Sequence, residues 1–328
     1  MTARRALVVA VLALVAVAGS VASLALGAVS IPIGEVVDIL SGQVDAGTAY
    51  EIIQRLRLPR MVEALLVGAA LGVAGACLQA ALLNPLASPD VIGVTGGAGF
   101  GAMLIFLLLP AQAALVPLSA LVFGLVAAAL VFLVGFTGER GGGIGRVILA
   151  GIAIASLFGA GTAALMGAFP ERVPTGITFL VGSLTTTGWD TLEQVLPYFL
   201  VGFVMSAFLI RPLDRLALGD EVAASLGSRP RRTRLLAAFV AALLASAAAA
   251  VAGLLAFLGL VVPHMVRLAA GTSRLTFVLP VSALGGAALL VSADTLARVI
   301  VAPVELPVGP LLVLLGVPVF LWLLRKAV

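Results

Sequence analysis

Long apolar stretches separated by short charged ones run the length of this chain. Those near residues 6–28, 62–83, 91–109, 112–136, 147–169, 195–210, 276–293 and 307–324 each approach the ~20 residues that a helix needs to cross a bilayer. A further run, 235–270, is too long for one helix and is flanked by arginine at both ends: Arg231, Arg232 and Arg234 before it, Arg267 and Arg274 at its close. If both ends face one side, the run crosses twice, as two short helices turning outward near Ala252-Gly253. Ten crossings are therefore expected, and an even count places both termini on the same side.

The most polar stretch, Arg211 to Arg234, carries nine charges, six of them arginine. A charged residue at the centre of a membrane helix costs on the order of 2.5–3.5 kcal/mol, so this segment stands in water between two spans. Its arginine excess marks that water as cytoplasm, as do Arg4-Arg5 and Arg325-Lys326 at the termini. Within it Leu218, Val222 and Leu226 follow a helical repeat. Gly219 and Gly227 bracket them, and Asp220 and Glu221 stand at the positive end of the helix dipole. A short amphipathic helix on a cytoplasmic face suits either a partner protein or an ordinary solvated loop.

Composition agrees with a polytopic all-α membrane protein folded as one domain over 1–328: 62% of the 328 residues are hydrophobic and the mean hydropathy is +1.24. The first apolar run is longer than a signal-peptide core and reads as a span. The basic balance of +4 reflects arginines at span ends, which orient the chain in a membrane and give no reason to expect nucleic acid. Arg55, Arg57, Arg60, Arg172 and Arg298 fall on the outer side, against that trend. Glycines at small-xxx-small spacing, Gly68/Gly72 and Gly97/Gly101, predict close helix packing. Two outer segments, Val29–Pro59 and Phe169–Glu193, are long enough to shape a mouth.

Several chemistries are excluded. Lys326, near the C-terminus, is the only lysine, so no lysine serves a nucleoside-triphosphate loop. One histidine, His264, and one cysteine, Cys77, leave no metal motif and no disulfide. Glu63, Asp90, Asp294 and Arg298 all fall near span ends, which weighs against a secondary transporter with mid-membrane ionisable groups, the alternative class considered.

The chain resembles the permease subunits of the FecCD or BtuC-like family of type II ABC importers, which take up iron-siderophore complexes, haem and vitamin B12. The resemblance rests on Arg57-Leu-Pro-Arg60, Gly68-Ala-Ala-Leu-Gly72, Gln79 through Asn84-Pro-Leu-Ala-Ser-Pro89, and Gly93-Val-Thr-Gly-Gly-Ala98. It continues through Leu218–Gly227, Phe257–Arg267, Ala293–Arg298 and Glu305-Leu-Pro-Val-Gly309, in order along the whole chain. It implies ten helices per subunit and a second permease subunit, identical or paralogous. It also implies two ATPase subunits, which bind the ATP and magnesium that this chain does not, and an external solute-binding protein, periplasmic or lipid-anchored. The implied location is a bacterial inner membrane with both termini cytoplasmic.

Site residues follow from the same resemblance. Leu218, Gly219, Asp220, Glu221, Leu226 and Gly227 match the helix that couples to the ATPase. Asn84 and Leu86 match one cytoplasmic gate; Ile144 and Gly145, before Arg146, stand where the family's second gate has a polar pair. Arg57, Arg60 and Arg298 match the arginines that meet acidic residues of the binding protein. A wide pathway lined by uncharged groups leaves selection among siderophore, haem and cobalamin to that protein, with a ferric siderophore the expected cargo.

Overall fold

The computed structural model describes residues 2–135, 144–184 and 188–327. Among them the chain folds into fourteen α-helices: α1 (Ala3–Ala25), α2 (Ile33–Leu40), α3 (Thr48–Glu51), α4 (Leu58–Ala81), α5 (Val94–Leu108), α6 (Val116–Gly135) and α7 (Ile144–Ala168). These are followed by α8 (Val173–Val181), α9 (Trp189–Leu216), α10 (Asp220–Ser225), α11 (Pro230–Ala252), α12 (Leu258–Ala270), α13 (Leu275–Val299) and α14 (Val308–Ala327). Seven helices are long and apolar enough to cross a membrane, and three more, in α5, α12 and α14, are apolar but shorter. Among the described residues the regular structure is helical throughout, as expected from the sequence. The end of the bundle that carries Asp220–Arg234 is its inner end here, and the opposite one its outer end.

Helix α4 is the axis of the bundle. It continues from α3 through a π-helical turn over Ile52–Arg57, making a helix of 34 residues, Thr48–Ala81. Its most extensive neighbours are α13 and α11. Glycine makes the α4–α13 approach possible: a Cβ on Gly68 would lie 2.3 Å from the Gly286 carbonyl oxygen, and one on Gly72 2.2 Å from that of Ser282. At Gly75 it would meet the Gly259 oxygen of α12 at 1.8 Å. The expected Gly97/Gly101 pair does the same against α6, facing the Phe123 and Ser119 oxygens at 2.3 and 2.6 Å. Such backbone contact gains dispersion energy where lipid offers no hydrophobic drive between helices.

The 235–270 run breaks where expected, into two helices of unequal length: α11 is 23 residues long and almost wholly enclosed, whereas α12 has 13. The break itself is covered. Ala252 is buried and its carbonyl accepts from Ser183 N–H, while Leu254 N–H donates to the Phe179 oxygen. The unwound 253–257 segment finds its partners at the end of α8 and then descends, so that Gly259 begins α12 against Leu71 and Gly75, halfway along α4. Unpaired backbone groups at that depth would each cost several kcal/mol, which confines irregular chain to such a lined interior.

A second half-helix complements the first. After the inner turn at residues 82–88 the chain climbs back to mid-height, where Pro89 packs on Gly259, and α5 starts from there with 15 residues. Asp90 consequently lies deeper than the span end where sequence put it. Its carboxylate accepts from Ser88 Oγ at 3.4 Å and faces the backbone of Phe257, the left-handed residue (φ 68°) that precedes α12; it stands one turn before α5. One carboxylate thus serves the positive ends of two helices.

Backbone contact on this scale leaves no room for a methyl group. Gly75→Ala is expected to destabilise the bundle by about 1–3 kcal/mol, read as a lower unfolding temperature in detergent. Gly34→Ala, with open space around its Cβ, should stay within about 0.5 kcal/mol of the parent.

Candidate coupling, gating and docking sites

At the inner end, α10 is a six-residue helix between Gly219 and Gly227, whose φ values of +96° and +77° admit the chain reversal on either side. Ala223 is its buried anchor. Leu218, Val222 and Leu226 are 60%, 46% and 51% exposed, so three large apolar groups stand on a charged surface without a covering partner among the described residues. Glu221 is exposed beside them. Asp220 is held by both terminal nitrogens of Arg234, at 2.6 and 2.7 Å. That guanidinium keeps the Asp220 carboxyl below its ordinary pKa.

The turn after α4 is built by its own side chains. Asn84 Oδ1 accepts from Leu86 N–H at 2.9 Å, Asn84 N–H reaches back to the Gln79 oxygen, and Leu83 takes a left-handed φ of 48°. Pro85 cannot donate, so this compact non-helical turn is what the sequence permits. Leu86 projects from it, 40% exposed. Beneath it Gln79 ties α4 to α12, donating to the Leu260 oxygen and accepting from Arg267. Of the second gate, Gly145 is exposed at the start of α7, with open space where a Cβ would stand. The Ile144 side chain and residues 141–143 lie outside the described residues.

At the outer end, Arg57, Arg60 and Arg298 are all buried, at 6%, 9% and 3% exposure. Arg57 turns back to the Leu24 and Val29 oxygens and fixes the exit of α1. Arg60 binds Asp294 through Nη2 at 2.9 Å and Glu305 through Nη1 at 2.6 Å. Arg298 pairs with Asp294 at 3.3 Å and donates to Ser23 Oγ at 2.8 Å. The physical reason is counter-charge: buried guanidinium groups need acceptors, and Asp294, the rim residue Glu305 and helix-end carbonyls supply them inside the chain. Three arginines against two carboxylates leave one positive charge in excess, and Glu305, with a side chain 36% exposed, is where this cluster meets solvent.

Sequence reasoning had noted Asp294 only as a span-end charge, and it gave Arg234 and Glu305 no role of their own. The Asp294/Arg298 spacing of four is legible as a helical pair; the joining of Arg60 to Asp294 across 234 positions is not. Between the two ends, a cavity of about 630 Å³ opens beside Asp90 and Thr95, walled by Leu180, Leu254, Gly309 and Pro310.

Comparison with known proteins places this geometry. The FecCD transport family matches residues 12–326. The chain is 38% identical over 323 residues to the Fe(3+)-citrate import system permease protein YfmE of Bacillus subtilis (strain 168), spanning 98% of this chain and 96% of that one. With the hemin transport system permease protein HmuU of Yersinia pestis it shares 39% over 284 residues, 84% of each. A solved metal-chelate type ABC transporter in an inward-facing conformation superposes with a TM-score of 0.83 at 30% identity, covering 98% of this chain and 99% of that one. A half-helix bundle with an exposed apolar helix at one end and a buried arginine cluster at the other is thus the architecture of a transport permease, and this multi-pass membrane chain belongs to the FecCD family.

Proposed function

We propose that this chain is the permease subunit of a binding-protein-dependent ABC importer that carries a ferric chelate, a siderophore complex or haem, across a bacterial inner membrane. The observation that carries the reading is the near full-length identity with an iron-citrate import permease. In this reading the seven long and three shorter apolar helices make ten crossings, with both termini cytoplasmic. A second permease subunit, identical or paralogous, completes the pathway, and the cavity beside Asp90 is this chain's share of it.

The inner end receives an ATPase subunit, two per transporter, each carrying its own ATP and magnesium. Leu218, Val222 and Leu226 are the apolar contact, Glu221 its polar edge, and Gly219 and Gly227 its hinges. Asn84 and Leu86, with Ile144 and Gly145 opposite, form the cytoplasmic gate. At the outer end the solute-binding protein docks over Arg57, Arg60 and Arg298, which act from beneath. They stiffen the α1 exit and give the cluster beneath the rim its one positive charge in excess, while an acidic group of the partner approaches Arg60 beside Glu305. Exposed ion pairs contribute about 0–1 kcal/mol each, so such docking is governed by steering and weakens with salt.

Reconstitution tests the reading directly. Liposomes containing this permease, its ATPase and its binding protein should accumulate ferric citrate, a ferric hydroxamate or haem only when ATP is supplied to the ATPase side. Uptake driven by an ion gradient without the ATPase would identify a secondary transporter instead. Leu226→Asp places a carboxylate in the proposed contact at a cost of about 3 kcal/mol. It should abolish co-purification with the ATPase while the unfolding temperature of the permease holds. At the outer end, Asp294→Asn leaves Arg60 and Arg298 with one shared counter-charge fewer and should cost about 3 kcal/mol of stability, read as earlier thermal unfolding.

A further inference from the structure

Arg234 uses every face of its guanidinium. Two nitrogens grip the Asp220 carboxylate of α10, and the third, Nε, donates to the Ala81 oxygen at 3.1 Å. Ala81 is the last residue of α4, and the turn bearing Asn84 and Leu86 follows it directly. One side chain at the start of α11 therefore joins the exposed apolar helix to the stem of the gate turn.

The remaining ties of α10 to the bundle are slight. Ala223 packs inward, and Arg215 reaches the Leu226 oxygen at 3.3 Å. A planar fork with all three corners engaged has a fixed orientation: displacement of the carboxylate rotates the plane, and rotation pulls on the third bond. A lysine's three donors rotate freely at the end of a flexible stem and transmit no such rotation. Asp220 is 53% exposed and Arg234 20%, so water would take over most of what either loses on substitution, and the clamp adds little to stability. Such geometry suits transmission better than scaffolding.

We propose that Arg234 is the positioning residue that transmits movement of α10 to the cytoplasmic gate, by clamping Asp220 to the carbonyl end of α4. The proposal rests on the reading of α10 as the ATPase-coupling helix and of the 84–86 turn as a gate, and it adds the mechanical link between them.

The test uses the full transporter, permease with ATPase and binding protein, in liposomes. A cysteine in place of Leu86 reports the gate through its rate of reaction with a membrane-impermeant maleimide, with and without ATP and magnesium; the native Cys77 is buried and silent. In the parent the rate should change several-fold on adding ATP. In Arg234→Gln and Arg234→Lys, co-purification with the ATPase and basal ATP hydrolysis should stay within about twofold of the parent, a change worth under one factor of ten in any equilibrium. The ATP-dependent change in labelling should be lost. The exchange Asp220→Arg with Arg234→Asp restores the ion pair without the bond to Ala81 and should remain uncoupled. A full ATP-dependent change in either single variant, or its full rescue by the exchange, overturns the clamp. Loss of ATPase co-purification in both single variants overturns it too, since Arg234 would then belong to the docking contact. The underlying reading fails separately, through normal co-purification by Leu226→Asp.

Discussion

Every backbone N–H and C=O that leaves a helix inside a membrane needs a partner in the protein, and this demand shapes the whole bundle. Two helices begin at mid-height, and the carboxylate of Asp90 stands where they begin. Helix ends are met by arginines from elsewhere in the chain. Arg57 and Arg298 reach the last carbonyls of α1, and Arg172 reaches Leu107 at the end of α5. Arg234 reaches Ala81 at the end of α4, and Arg4 reaches Leu268 and Ala269 at the end of α12. Cations at helix C-termini also complement the dipole, so one side chain satisfies two requirements. This accounts for Arg57, Arg172 and Arg298, which run against the positive-inside trend: each is turned to a helix end.

Helix α4 gathers the consequences. Its outer end carries Arg57 and Arg60, its middle the glycines that touch α12 and α13, and its inner end the carbonyl held by Arg234. The apolar face of α10 and the ion cluster under the outer rim thus share one rigid member. A disturbance at either end meets a helix whose other end is already fixed to functional ground. Neither Asp220 nor Arg60 stands free to recruit a partner by itself; each belongs to a network whose geometry a partner would have to alter.

Much of this was legible in the sequence, and the remainder was hidden for physical reasons. Apolar run length located the spans within a few residues, because bilayer thickness fixes helix length and charges cannot hide in lipid. Gly68, Gly72, Gly97 and Gly101 were readable as packing residues, because only a missing side chain allows helix axes so close. The burial of Arg57, Arg60 and Arg298 was not readable, since nothing local distinguishes an arginine facing water from one turned to a distant helix end or, as Arg60 is, to a carboxylate more than two hundred residues away. The half-helices escaped for a related reason. Pro89 and Gly253 mark breaks, but the depth at which a break lies is decided by the carbonyls of other helices. The exposed stripe of α10 was visible as a repeat, whereas the capture of Asp220 by Arg234 depends on how two helices cross.

At Gly68, Gly72 and Gly75 the seam of α4 with α13, and its continuation onto α12, sets carbonyl against glycine with no side chain between. Interfaces that switch do so by moving side chains from one set of holes to another, and this stretch of the seam has no second set to enter. Helices α4 and α13 consequently turn as one plank, and any alternation of the transporter has to be hinged along the margins of that plank, where side chains still intervene.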